Sequence, residues 1–176
     1  MIRHKFVRGS GITSWGIAKA GMRWGGFSHV AAYLPDGTLF DARADVQPCV
    51  GSKPCAGVQH RPDNYEAWKY WVIVSLPGTE ALSELWVKYL FAHEGEPYDM
   101  DAIYGFILGR PLHKRGHAIC SALQEEVLRK LCLTHGLNGL ALSELTASSG
   151  ISPDALFLID TVGLGGKVTA SAGLPP

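Results

Sequence analysis

The stretch Ser28-His29-Val30-Ala31-Ala32-Tyr33-Leu34-Pro35-Asp36-Gly37-Thr38-Leu39-Phe40-Asp41-Ala42 reads as a β-hairpin. Apolar, β-branched and aromatic residues run up to Leu34 and resume after Gly37. Pro35 presets φ, Asp36 caps locally and Gly37 supplies positive φ, which together make a three-residue loop. That loop pairs Leu34 with Thr38, and counting back pairs Ala31 with Asp41. His29, Ala31 and Asp41 then share a face, with His29 and Asp41 diagonal neighbours about 7–8 Å apart at Cα. A loop one residue shorter or longer would send Asp41 to the opposite face. A histidine beside a carboxylate is what activates a nucleophile, provided that a nucleophile reaches the same place.

Cys120 is the candidate nucleophile. It opens a helix expected over 119–132, with Ile119, Leu123, Val127 and Leu131 inward and Glu125, Glu126, Arg129 and Lys130 outward. Free N–H groups and the positive end of the helix dipole favour a thiolate there. Cys132, among leucines, reads as inert. The helix carrying Cys120 is expected to pack on the face that holds His29 and Asp41.

Further along the chain, 68–76 is the most strand-like run, and Val58 to Arg61 reads as a short strand. Thr79 and Asp99 cap helices over about 80–93 and from 99 to 108. Ser152-Pro153-Asp154 starts another helix. Weaker helices are expected at 14–24 and 140–147, and a loop at 44–57. The pattern is α+β, a small antiparallel sheet packed with helices in a single domain over 1–162. Residues 163–176, rich in Gly, Ala and Pro, read as a flexible, dispensable tail.

Composition narrows the function. The chain has 176 residues, 47% hydrophobic and 18% charged, with 16 basic and 16 acidic residues and no net charge. Nothing in this balance points to nucleic acid or an anionic membrane. The N-terminus has no apolar run like a signal peptide, and no stretch has the length of a transmembrane helix. The default expectation is a cytoplasmic protein, with release by lysis or phage delivery leaving no trace in the sequence. A reducing compartment disfavours a disulfide between Cys49 and Cys55. The four cysteines have no CxxC spacing. His113, His117 and Cys120 give H-x3-H-x2-C, but Pro111 and Gly116 make this a poor helix for sharing a metal. No metal or other cofactor is expected.

Five segments resemble, in order, the circularly permuted branch of the NlpC-type, papain-like cysteine amidases and peptidases. They are Gly25-Gly26-Phe27-Ser28-His29-Val30, Asp36-Gly37-Thr38-Leu39-Phe40-Asp41-Ala42, Gly95-Glu96-Pro97-Tyr98-Asp99, Ile119-Cys120-Ser121-Ala122-Leu123 and Ile151-Ser152-Pro153-Asp154. The resemblance spans about residues 6–158. It implies a permuted papain-like fold with the nucleophile at a helix N-terminus. It also implies Cys120 as nucleophile, His29 as general base and Asp41 as the orienting residue, where the permuted branch often has Glu. Ala122 departs from the family's Glu. Ser28, Ser121, Trp24 and His117 are the expected substrate contacts, although Trp24, with Trp15, Phe27 and Tyr33, also reads as core packing. The implied function is a thiol hydrolase acting on a peptide amide, such as a cell-wall peptide. The alternatives are a lipid acyltransferase or thioesterase, and a catalytically silent binding module.

Overall fold

The hairpin has the register that its turn dictates. Leu34 N donates to Thr38 O at 2.9 Å and Gly37 N to Leu34 O at 3.1 Å. Gly37 takes φ +84°, where a side chain would be strained. Asp36 Oδ1 accepts from Thr38 N at 3.0 Å. Ala32 lies opposite Phe40 and Tyr33 opposite Leu39, so the same register sets Ala31 opposite Asp41.

The computed structural model describes residues 1–9, 26–108, 116–135 and 152–173. The strands are β1 Ile2–Arg8, β2 His29–Tyr33, β3 Leu39–Cys49, β4 Ser52–Arg61, β5 Tyr70–Leu76 and β6 Lys167–Ala172. All pairings are antiparallel, and the strand order is β4-β3-β2-β1-β5-β6. The helices are α1 Glu80–Phe91, α2 Met100–Leu108, α3 Cys120–His135 and α4 Pro153–Leu158, the last continuing into a π-helical turn at Ile159–Gly163. The expected caps are present. Leu82 N donates to Thr79 Oγ1 (3.3 Å), Ala102 N to Asp99 Oδ1 (3.0 Å) and Ala155 N to Ser152 Oγ (3.1 Å). The helices expected at 14–24 and 140–147 lie outside the described residues.

One face of the sheet makes the main core. Ile2 and Phe6 of β1, Val30 and Ala32 of β2, Phe40 and Ala42 of β3 and Val72 and Val74 of β5 pack against Trp86 and Leu90 of α1 and Leu123, Val127 and Leu131 of α3. These strand positions are even-numbered, whereas His29 and Asp41 are odd. The expectation that α3 packs on the His29–Asp41 face is therefore corrected: it packs on the other one. The apolar side chains of these strands decide this, because the helix must bury its leucines against them.

The structure adds a strand and changes three further expectations. β1 is an interior strand that hydropathy conceals, because the run Arg3-His4-Lys5 stands between its apolar residues. These three are partnered: Arg3 Nη2 donates to Leu34 O at 2.7 Å, His4 Nδ1 lies 2.7 Å from Asp160 Oδ2, and Lys5 Nζ donates to Asp63. The loop expected at 44–57 is instead a β-ribbon, β3 with β4, cross-linked by a Cys49–Cys55 disulfide. Both cysteines fall on paired strands, so pairing geometry overrides the compartment argument. Gly57 is required where this ribbon meets the chain before α2. Its φ is +85°, and a Cβ there would lie 2.4 Å from Glu96 O.

The tail expected to be flexible from residue 163 carries a strand instead within its described part, which ends at residue 173. Lys167–Ala172 form β6 on the edge of β5, from Ser75↔Lys167 to Trp71↔Ala172, with Ser75 Oγ and Thr169 Oγ1 3.0 Å apart. The strand is exposed along its length. It is held by backbone hydrogen bonds, which a search for apolar residues does not register. Deleting residues 165–176 is expected to lower the melting temperature by several degrees, at about 2–4 °C per kcal/mol for a chain this size. Calorimetry checks this; an unchanged transition would show that β6 adds no stability.

Candidate active site

Asp41 is fully buried, and a buried carboxylate must be satisfied on both oxygens. Oδ1 accepts from Arg61 Nε at 2.8 Å. Oδ2 lies 2.8 Å from His29 Nε2 and also accepts from Tyr65 Oη. Burial alone would raise this carboxyl, but the bond and charge of His29, the Arg61 guanidinium and the Tyr65 hydroxyl hold it below the usual range. Arg61 is itself fully buried. Its other donors run into the ribbon, Nη2 to Gly57 O at 3.0 Å and Nη1 to Cys55 O at 3.0 Å.

Nε2 of His29 is committed to Asp41, which leaves Nδ1 for Cys120. A hydrogen bond joins the imidazole and the thiol. The packing of α3 on the opposite face does not prevent this, because β2 and β3 part at this point. In a strand, alternate residues turn their N–H and C=O to the same neighbour. Leu34 bonds to β3, so Ala32 and Val30 also face β3. The β2–β3 ladder ends at Ala32↔Phe40. The Val30 N–H is thereby released and donates to the Cys120 sulfur. Gln124, one turn on, fixes the helix to β3 by donating from Nε2 to Phe40 O at 3.2 Å.

The electrostatics follow. Burial would raise the Cys120 thiol, but the charge and hydrogen bond of His29 and the Val30 N–H hold it below its ordinary value. Burial would lower the His29 imidazole, but the Cys120 charge and the hydrogen bonds that the ring donates to Asp41 and Cys120 push it up to about 9. Each charge favours the other, so the shifts run toward a thiolate beside an imidazolium. Cys132 differs: burial pushes its thiol up and nothing opposes it.

A strap not anticipated from the sequence covers the His29–Asp41 face. In the β4–β5 connection, Asp63 takes Lys5, Tyr65 takes Asp41, and Trp68 stacks on the His29 ring at 6.0 Å between centroids and 15° between planes. Trp68, Tyr70 and Trp71 carry an aromatic signal, but they fall within 68–76, which reads as strand. Burial and the Cys120 charge raise the Tyr98 hydroxyl. A parallel bridge joins Tyr98 to Ala118.

The expected substrate contacts separate. Ser28 is buried, and its hydroxyl accepts from Gly9 N at 3.0 Å. It anchors the start of β2. Ser121 is buried in the first turn of α3. Asp154, in the last of the resembling segments, is structural: its Oδ1 accepts from Phe27 N at 2.9 Å and fixes the approach to His29. His117 is half-buried, three residues before Cys120. Trp24, Trp15 and His113 lie outside the described residues.

The chain matches no protein-family profile and no curated protein sequence. Among solved structures it is similar to the metalloprotein yiiX from Escherichia coli O157:H7, a DUF1105 protein. The TM-score is 0.64 at 12% identity, over 98% of this chain and 97% of that one. The two share an α+β fold. Among the described residues of this chain, no group of three or more His, Cys, Asp or Glu side chains is gathered as a metal site requires. No described helix is long and apolar enough to cross a membrane.

Proposed function

We propose that the chain is a cysteine-dependent hydrolase of acyl bonds, with Cys120 as nucleophile, His29 as general acid and base, and Asp41 as the orienting carboxylate. The observation that carries this reading is His29 bridging a buried carboxylate and a thiol that it holds below its ordinary value. The Cys120 thiolate attacks the carbonyl carbon; a C–S bond forms and the carbonyl π pair moves to oxygen. Backbone N–H groups at the start of α3 face the resulting oxyanion. The intermediate collapses, the C–N bond breaks, and the leaving amine takes the His29 proton. Water then attacks the thioester and gives a proton to His29. The acid departs and the thiolate–imidazolium pair is restored. The resemblance supports a peptide amide as substrate, with a cell-wall peptide first to be tried.

The test is intact-mass analysis during turnover of a peptide amide or an activated ester. An acyl adduct on Cys120 is expected in the wild type and none in Cys120→Ala; an adduct elsewhere, or turnover without Cys120, would overturn the reading. kcat/KM should be level through neutral pH and fall as His29 loses its proton near pH 9. A fall centred near pH 6.5 would place an unperturbed histidine in its stead.

A further inference from the structure

The third site residue brings a difficulty. A negative Asp41 supports the imidazolium but opposes a thiolate, and its charge pushes the Cys120 thiol up. Cys120, His29 and Asp41 are all buried, so water screens little of this repulsion. Thiolate, imidazolium and carboxylate together carry a net −1. Arg61 supplies the missing positive charge. It is fully buried, 2.8 Å from Asp41 Oδ1, on the oxygen His29 does not use. The ribbon carbonyls of Gly57 and Cys55 hold its other nitrogens, so the guanidinium cannot swing to another partner.

We infer that Arg61 is a positioning residue of this site: by pairing with Asp41 it balances the buried charge, so that an acidic third residue and a cysteine thiolate can coexist, and it turns Oδ2 toward His29. The inference rests on the hydrolase reading above. The other ionisable groups facing the cluster are Tyr65, Tyr98 and Arg43, the last paired with Asp45 (3.0 Å) and Glu66 (2.8 Å). Both tyrosines are raised and stay neutral, so among these groups Arg61 is the cation on Asp41.

The experiment measures iodoacetamide alkylation of Cys120 against pH, with mass spectrometric site assignment. Arg61→Met is expected to move the rise in alkylation up by about one pH unit, so labelling on the rising part of the curve, below the wild-type plateau, is about tenfold slower. Arg61→Lys, which keeps the charge, should stay within about threefold of the wild type. With Asp41→Asn already in place, adding Arg61→Met should change labelling less than about twofold, since there is no carboxylate left to balance. A wild-type profile for Arg61→Met, or an equal slowing in both backgrounds, overturns the inference. If a single variant does not fold, thermal unfolding decides. The double variant carries no unpaired charge and must melt above both singles; one that melts no higher overturns the pairing. Alkylation needs no substrate, which keeps the two claims apart. A balanced profile in a protein that turns over no acyl substrate counts against the hydrolase reading alone. Turnover through Cys120 with a profile indifferent to Arg61 counts against this inference alone.

Discussion

Cys120→Ala and His29→Ala should each abolish turnover, by about 10⁴-fold or more, and neither change should add the full loss of the other when combined. The two groups act as one unit. Without His29 the thiol loses both the charge and the hydrogen bond that hold it down, against a burial that pushes it up. Without Cys120 no acyl intermediate forms. The fold should tolerate both changes. The core around Cys120 is held by Leu123, Val127 and the β-strand residues that they contact, and removing one sulfur opens a small cavity. Steady-state kinetics on a substrate shown to acylate Cys120, with circular dichroism on the same samples, checks this. Either variant retaining near wild-type rates would exclude the pair as the reacting groups.

Asp41→Asn is expected to lower turnover by about 10²–10⁴-fold, and stability with it. An amide presents either an oxygen or an NH2 to Nε2 and gives the imidazolium no charge. Read from the sequence, Asp41 lines a cleft and contributes little to folding. Its environment changes that expectation. The carboxylate is fully buried against an equally buried Arg61. Removing one member of such a pair leaves the other unpaired, a loss of about 3–5 kcal/mol. Denaturant unfolding should show a lower midpoint with an unchanged slope. An unaltered midpoint with normal turnover would mean that Asp41 neither orients His29 nor balances Arg61.

The parts of the fold that the sequence made legible are those governed by local chemistry. Pro35-Asp36-Gly37 permits one loop length, so the register that aligns His29 with Asp41 could be counted. Thr79, Asp99 and Ser152 are caps whose side chains bond three residues ahead, within the reach of a sequence reading. The illegible parts depend on distant partners. Lys5 belongs in an interior strand only because Asp63 meets it, and Arg61 matters only because β4 returns it to Asp41, 20 residues earlier. The face chosen by α3 was misjudged because the site was assumed to require helix and hairpin on one side. The parting of β2 from β3 after Ala32↔Phe40, which releases the Val30 N–H to Cys120, leaves no mark on residue type. β6 was missed because its hydrogen bonds come from the backbone.

The central claim is that His29 makes Cys120 a thiolate at neutral pH. Its most direct test is the alkylation rate of Cys120 from pH 5 to 10, in the wild type and in His29→Ala. The wild type should already be near its plateau at pH 7, with Cys132 unlabelled. His29→Ala should label only as the pH passes the ordinary thiol value of about 8.5. Identical profiles in the two proteins, or a Cys120 that reacts no sooner than Cys132, would contradict the claim.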